Sequence, residues 1–331
     1  MNYNIGDTVT KKNIKYVIKY LFHTDNITHQ AIIIYQLNKL INDSDILLSL
    51  RNYIFKNSNK IKQYPNSLDT CGTGGDGLKT LNISTTVAIL LSSVGIPIAK
   101  HGNRAASSLS GSSDIISELK IPNEKNSKKI IKRISNDKFV YLNAPFFYPN
   151  LSRVGEVRKK IGIKTIFNYM GPTLNPLGAK FQILGTIDKN SAEIMSKILS
   201  KIKNKKFTIF FSEDGLDEIS IFAPTNFYFK KEKSITKRKI SHMAYKKYLT
   251  SKLNFKDIKG GLPSYNANRL IELFQGKKDS YRDITIINSI YAMQTIKPDY
   301  QFDSCFEILS NSLDNSIAFN HLNKIKKLWI F

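Results

Sequence analysis

The sequence predicts an α/β protein in two parts: a small all-helical N-terminal domain, residues 1–66, and a larger α/β domain, residues 67–331, with a mostly parallel central sheet. Three observations predict it. Apolar residues recur at helical spacing through the first 55 or so positions. A polar stretch, "KNSNKIKQYPN" at 56–66, then interrupts the pattern with Lys, Asn, Ser and Pro, as a linker does. Beyond it, short β-rich runs alternate with longer helical patterns, the texture of strands joined by crossover helices.

Each element follows from local pattern. In "TKKNIKYVIKYLF" (10–22), Ile14, Val17, Ile18 and Leu21 share one helical face behind Thr10, an expected N-cap. A second helix carries Ile33, Leu37, Leu40 and Ile41, and a third carries Leu47, Leu50 and Ile54 after a start signal at Asp43 and Ser44. The expected strands are "GIPIAK" (95–100), "FVYLNA" (139–144), "FQILGTI" (181–187), "KFTIFFS" (206–212) and "EISIFAP" (218–224). "SAEIMSKILSKI" (191–202) reads as an intervening helix, and the Lys-rich segment 227–247 as a hairpin with solvated surface. No internal repeat is evident.

Composition narrows the class. The longest apolar stretches, such as "TTVAILLSSVGIPIA" (85–99), are broken by Ser, Gly and Pro short of the ~20 apolar residues a membrane span needs. The start, "MNYNIGDTVTKKN", has no basic region followed by an apolar run, so the sequence predicts a cytoplasmic protein with no membrane association. Cys71 and Cys305 are too few for a disulfide framework and lack metal-ligand spacing, so both read as reduced thiols. A formal charge of +24 raises the question of nucleic acid, but 42 of the 50 cations are Lys, whereas base readout and bidentate phosphate recognition favour Arg. The even spread of Lys among Asn and Ile reads as compositional drift, and nucleic-acid binding is not expected. A basic surface would still steer anionic substrates.

The segment "DTCGTGGDGLKTLNIS" (69–84) carries glycines at 72, 74, 75 and 77. A dinucleotide fingerprint would place an acid at the end of the next strand, where Lys100 stands, and a Walker loop would place Lys directly after its last glycine, where Leu78 stands. The remaining reading is a backbone cradle for an anion: glycine N–H groups converge without Cβ interference, and "NIST" (82–85) opens a helix whose free N–H groups favour phosphate. Ser84 and Thr85 are positioned to cap that helix and reach a ligand. A second cluster, "KHGNRAASSLSGSSD" (100–114), adds Lys100, Asn103, Arg104 and the hydroxyls of Ser107, Ser108 and Ser112, a donor set for an extended anionic ligand. In "EDGLDEIS" (213–220), Asp217 and Glu218 stand side by side; from spacing alone they suit either solvated surface or Mg²⁺, which takes one or two carboxylates plus substrate phosphates.

Together with "KTIFNYMGPTLNP" (164–176), "DGLDE" (214–218) and "GGLPSYNANRLIELFQG" (260–276), these motifs resemble, in order and spacing, the anthranilate phosphoribosyltransferase family of the tryptophan pathway. The similarity covers nearly all of the chain after residue 66, and the N-terminal helices agree in pattern only. The resemblance implies a fold shared with nucleoside phosphorylases, a homodimer formed through the helical part, and Mg²⁺ as cofactor. It implies transfer of the phosphoribosyl group of 5-phosphoribosyl 1-pyrophosphate to the amine of anthranilate, with release of pyrophosphate. Carried over by motif, Gly72, Gly75, Asp76, Thr80, Asn82, Ile83, Ser84, Thr85, Lys100, His101, Gly102, Asn103, Arg104, Ala105, Ala106, Ser107, Ser108 and Ser112 would hold the phosphoribosyl substrate. Gly72, Asn103 and Arg158 would receive anthranilate, with Arg158 matching its carboxylate, and Ser84, Asp217 and Glu218 would bind Mg²⁺.

Displacement at an anomeric carbon passes through oxocarbenium-like charge, so the main need is to stabilise the departing pyrophosphate. An aromatic amine is neutral at pH 7 and needs positioning rather than a strong base, so His101 reads as a pocket-shaping group and no residue is assigned as acid or base. Three positions depart from the family's usual residues: Lys164 for Arg, Thr173 for Leu and Tyr148 for His. The competing readings are a nucleic-acid-binding relative of the same fold and a phosphorylase acting on nucleosides.

Overall fold

The apolar stripes of the N-terminal segment fold as three helices, α1 (Ile14–His23), α2 (Ile27–Lys39) and α3 (Ser44–Lys56), which bury Val17, Leu21, Ile33, Leu37, Leu47 and Leu50. In this computed structural model, residues 4–73, 77–103, 109–230 and 234–327 are described. The cap expected at Thr10 is corrected: α1 starts at Ile14, and the Thr10 N–H and hydroxyl both donate to Asn13 Oδ1, at 2.8 and 3.3 Å. Asp43 does cap α3, accepting from the N–H groups of Asp45 and Ile46.

Strands and helices then alternate: β1 (Leu68–Gly72), α4 (Ile83–Ser93), β2 (Ile98–Gly102), α5 (Ser112–Glu118), α6 (Ser127–Asn136), β3 (Phe139–Asn143), α7 (Ala144–Phe147), α8 (Gly155–Ile161), α9 (Phe167–Met170), β4 (Phe181–Gly185), α10 (Lys189–Ser200) and β5 (Lys206–Ser212). A hairpin, β6 (Thr225–Lys230) and β7 (Ile235–Ile240), precedes four helices, α11 (Pro263–Phe274), α12 (Ser280–Ile296), α13 (Phe302–Asp314) and α14 (Ile317–Ile325). The seven strands form one sheet in the order β3-β2-β1-β4-β5-β6-β7. β1 to β5 pair in parallel, and β6 and β7 are antiparallel. β7 forms one edge and is exposed along most of its length.

Alternation along the strands divides the core between two faces. Leu68, Ile98 and Ile183 pack with α4, α12, α13 and α14 on one side, while Ala99, Leu184 and Ile209 pack with α1, α2, α3 and α10 on the other. At 25 cal/mol per Å² of apolar surface, each fully buried Leu or Ile of these layers contributes about 1.5–3 kcal/mol. α12 is buried on nearly all sides, so it forms the middle of its layer rather than a surface helix.

Three further expectations are corrected. The strand expected at 95–100 begins at Ile98, after Pro97, which has no N–H for a ladder. The cap expected at Ser84 or Thr85 falls to Asn82, whose carbonyl accepts from the N–H groups of Thr85 and Thr86 at 3.0 and 3.1 Å. The strand expected at 218–224 is a loop. Its apolar residues are buried as alternation requires, but Ile219 finds its partner in a side chain: its N–H donates to Asn288 Oδ1 and its carbonyl accepts from Asn288 Nδ2, both at 2.9 Å. Ser220 N–H likewise donates to the hydroxyls of Ser212 and Thr225, at 3.1 and 3.2 Å. Among the described residues, no helix is long and apolar enough to cross a membrane.

Candidate active site

The parallel strands bring their C-terminal ends to one edge of the sheet, the usual place for a ligand site in an α/β fold. Gly72 ends β1 there and Gly102 ends β2. On β2, Lys100 is 2% exposed, and its ammonium donates to the Thr70 carbonyl at 2.6 Å, the Thr70 hydroxyl at 3.3 Å and Ser84 Oγ at 3.2 Å. Burial disfavours the charged form and lowers its pKa from the ordinary lysine value, while Asp69, Cys71 and Glu218 pull the other way. Ser84 completes the junction. Its N–H donates to Glu218 Oε1 at 3.1 Å, and its carbonyl accepts the Thr70 hydroxyl at 2.9 Å. A hydroxyl from β1, an ammonium from β2, the first turn of α4 and a carboxylate from the loop after β5 therefore meet at one point.

Gly185, at the end of β4, makes room for that carboxylate loop. A Cβ there would sit 1.7 Å from the Asp217 carbonyl oxygen, so no side chain fits without moving the backbone of the acidic pair. Gly102 plays a similar part at β2: a Cβ would lie 2.1 Å from Ser112 Oγ, so the strand end packs directly on the start of α5. The Asn103 carbonyl accepts from Ser113 N–H at 3.2 Å and holds the same junction closed.

Asn82 ties the start of α4 to two other loops. Its Nδ2 donates to the Ser110 carbonyl at 3.0 Å, and its Oδ1 accepts from Asn266 Nδ2 at 2.9 Å. Asn266 in turn accepts from Gly261 N–H at 2.7 Å, which fixes the turn before α11. Thr80 lies in an isolated antiparallel bridge with Lys259.

On the other side of β2, His101 is held at both ring nitrogens. Nε2 lies 2.8 Å from the Gly171 carbonyl, and Nδ1 lies 2.8 Å from Asp69 Oδ2 at an angle poor for a hydrogen bond. Both nitrogens face acceptors, so neither presents a lone pair to a substrate. Burial alone would raise the carboxyl pKa of Asp69, but His101, Lys205 and Asn175 outweigh it and hold the group below the ordinary value. Burial pushes the Cys71 thiol well up, which keeps it protonated and unreactive at neutral pH. Arg158, on α8, stacks its guanidinium 5.2 Å from the Phe167 ring centre, and its pKa is lowered by burial. Among the described residues it has no carboxylate partner and its Nε has no hydrogen bond. Phe167 opens α9 and Gly171 follows it, about 6 Å along the helix axis, so Arg158 and His101 flank the same short element.

The sequence model of a family described as "Glycosyl transferase family, a/b domain" matches residues 64–318. The anthranilate phosphoribosyltransferase of Desulfitobacterium hafniense (strain DSM 10664 / DCB-2) is 34% identical over 267 residues, 81% of this chain and 79% of that protein. The chain belongs to the anthranilate phosphoribosyltransferase family. The enzyme of the same name from Methanosarcina acetivorans is 41% identical over 226 residues, 68% of this chain, and the chain spans 60% of that relative's length. Among solved structures, anthranilate phosphoribosyltransferase from Thermus thermophilus superposes with a TM-score of 0.86 at 22% identity, covering 97% of this chain and 96% of its own. The Saccharomyces cerevisiae enzyme in complex with PRPP and Mg superposes with a TM-score of 0.82 at 23% identity, covering 94% and 90%. At these identities the likeness is one of fold.

The residues named from the anthranilate phosphoribosyltransferase motifs do not all meet in one place. Lys100, Ser84 and Glu218 meet directly, and Gly102, Asn103 and Ser112 join the end of β2 to α5. Ile83 and Thr85 have fully buried side chains, so a ligand would meet them only through backbone groups or after movement. Arg158 lies on α8, and Asp217 precedes Glu218 on the loop after β5. Gly75, Asp76, Arg104, Ala105, Ala106, Ser107 and Ser108 lie outside the described residues. Sequence reasoning missed Thr70, Asn266 and Gly185. Thr70 and Asn266 sit inside the quoted motifs and could have been singled out as donors, whereas nothing in "FQILGTI" signals that Gly185 faces the loop at Asp217, 32 residues on.

Proposed function

We propose that this chain transfers the phosphoribosyl group of 5-phosphoribosyl 1-pyrophosphate to the amine of anthranilate, giving N-(5-phosphoribosyl)anthranilate and pyrophosphate in L-tryptophan biosynthesis. The observation that carries it is the Lys100–Ser84–Glu218 junction at the start of α4, where a buried ammonium, a hydroxyl and a carboxylate converge beside helix N–H groups. That combination serves a phosphorylated substrate that brings a hard metal ion with it.

The donor set fits Mg²⁺. Asp217 and Glu218 with the Ser84 hydroxyl are all-oxygen ligands, and among the described residues no third acid, His or Cys joins them. That leaves substrate phosphates and water to fill the shell, as Mg²⁺ prefers. Bound Mg²⁺ would supply positive charge to the departing pyrophosphate. The protein's own residues do the rest. The turn at Gly72 binds the phosphates, and Lys100 adds charge from a dry position where it acts at short range. Arg158 receives the anthranilate carboxylate, because a half-buried guanidinium without a carboxylate partner gains most from one supplied by a ligand. His101, occupied at both nitrogens, shapes the pocket and holds the turn at Gly171.

The same reading divides the molecule at residue 66 into a helical domain that pairs with a second copy and an α/β domain that carries the site, in a cytoplasmic enzyme. The test follows anthranilate fluorescence with phosphoribosyl pyrophosphate and Mg²⁺ present, then with each omitted. Fluorescence should fall only in the complete mixture. A salt-sensitive, Mg²⁺-independent affinity for DNA without turnover, or phosphorolysis of a nucleoside in its place, would overturn the reading.

A further inference from the structure

A second cavity opens at the opposite edge of the sheet. Its volume is about 390 Å³, and its walls include Pro65 before β1, Ala179 and Lys180 before β4, Lys203 and Lys205 before β5, and Arg51 of α3. The site described above sits at the other ends of the same strands. Four residue steps of roughly 3.3 Å, about 13 Å, separate Leu68 from Gly72, and this cavity opens at the Leu68 end, away from the strand ends that carry Gly72 and Gly102.

Its lining is cationic, and the buried carboxylate of Asp69 on β1 favours the charged form of Lys205. Arg51, Lys180, Lys203 and Lys205 contribute to it, and among the described residues no Asp or Glu does. Arg51 donates Nε to the Thr173 carbonyl at 3.3 Å and Nη1 to Asn52 Oδ1 at 3.0 Å, and its guanidinium lies over the Phe55 ring at 4.4 Å. Those bonds fix the group in place without neutralising it. Lys205 is 7% exposed and donates to the Ala179 carbonyl at 2.7 Å, another neutral acceptor. Four cations held around one space repel each other, and a preformed cavity of this size suits a small metabolite.

We propose that this cavity is a binding site for a small phosphate-type oxyanion, seated between the helical layer and the N-terminal ends of β1, β4 and β5. The forked guanidinium of Arg51 grips one oxyanion face, the Lys side chains supply the remaining charge, and Asn66 and Asn175 line the same space with neutral polar groups. The inference is independent of the transfer reaction, because it concerns binding of phosphate alone at the far edge of the sheet.

The experiment is a calorimetric titration of inorganic phosphate into the full chain, without Mg²⁺ and at fixed ionic strength. One binding event should survive Lys100→Met, which disables the other site, and weaken at least ten-fold in the Arg51→Gln/Lys203→Gln double variant. Circular dichroism and the thermal midpoint establish that the double variant is folded. Lys203→Glu, on an exposed loop where no core packing is lost, should weaken the same event on its own. Lys278→Glu, an equal charge change elsewhere on the surface, should leave it as it is. Binding that vanishes in Lys100→Met, persists in the double variant and Lys203→Glu, or falls equally in Lys278→Glu overturns the proposal.

Discussion

Ser84 gives its N–H to Glu218 and takes a hydrogen bond from Lys100, so one small residue couples the acidic loop to the strand cation. Replacing Asp217 with Asn and Glu218 with Gln keeps the shape and removes both charges; turnover should fall by at least about 10²-fold with an unchanged circular dichroism spectrum. Wild-type activity at limiting Mg²⁺ would sink the metal assignment. Gly185→Ala tests the same loop from behind. The obstructing atom is a backbone carbonyl and cannot swing aside, so the acidic pair must shift and the Mg²⁺ concentration for half-maximal rate should rise several-fold. An unchanged Mg²⁺ titration would mean that Gly185 does not set the loop's position. The carboxylates were legible because two adjacent acids after "DGL" carry chemistry in their side chains. Gly185 was not, because its role is the absence of a side chain facing a loop distant in sequence.

At the scale of elements, α12 holds the acidic loop in place. Asn288 pairs with both backbone groups of Ile219, next to Glu218, and its Nδ2 also donates to the Ile284 carbonyl at 2.8 Å. Asn288→Leu would leave a buried N–H and carbonyl unpaired, each costing about 1–3 kcal/mol. Urea unfolding should report a loss of that order, and the variant that remains folded should need more Mg²⁺. Full stability would mean that water or a shifted loop replaces the amide. This arrangement explains an element misread from sequence. In "EISIFAP" the alternation correctly marks Ile219 and Ile221 as buried, yet a strand needs a neighbouring strand, and here an asparagine side chain occupies that position. α12 itself was hard to read, since "SYRDITIINSIYAMQTI" mixes buried polar and apolar residues on every side and shows no stripe. The parallel strands β3, β4 and β5 were easier, because buried runs such as "FVYLN" and "KFTIFFS" are short, apolar and rich in aromatic and β-branched residues, whereas β1, "LDTCG", lacks that texture and was not expected.

For the whole molecule, charge is the dominant variable. Burial pushes Lys205 down from 10.5 to about 8. A folded-state pKa below the unfolded one means that the unfolded chain binds more protons between these values, so stability rises with pH across about 8 to 10.5, and the cost of burying the cation is fully present below 8. Relative to Lys205→Met, the wild type should therefore gain up to about 3 kcal/mol over that window in urea unfolding. A constant difference would show that Lys205 keeps its ordinary titration. The formal charge of +24 was legible from composition, but not where it gathers, because the cavity at the far edge is assembled from segments as distant as α3 and the turn before β5. The edge strand gives that charge another meaning. β7 reads "ITKRKI", with Lys237, Arg238 and Lys239 in succession along the outermost ladder of the sheet. An exposed strand edge is a template on which a second molecule can extend the sheet, and charged side chains along the edge, Lys237 and Lys239 paired with Glu193 and Glu213, oppose that growth. Converting Lys237 and Lys239 to Val should leave the fold intact and yet produce concentration-dependent light scattering, so that these lysines act as a barrier to fibril-like assembly.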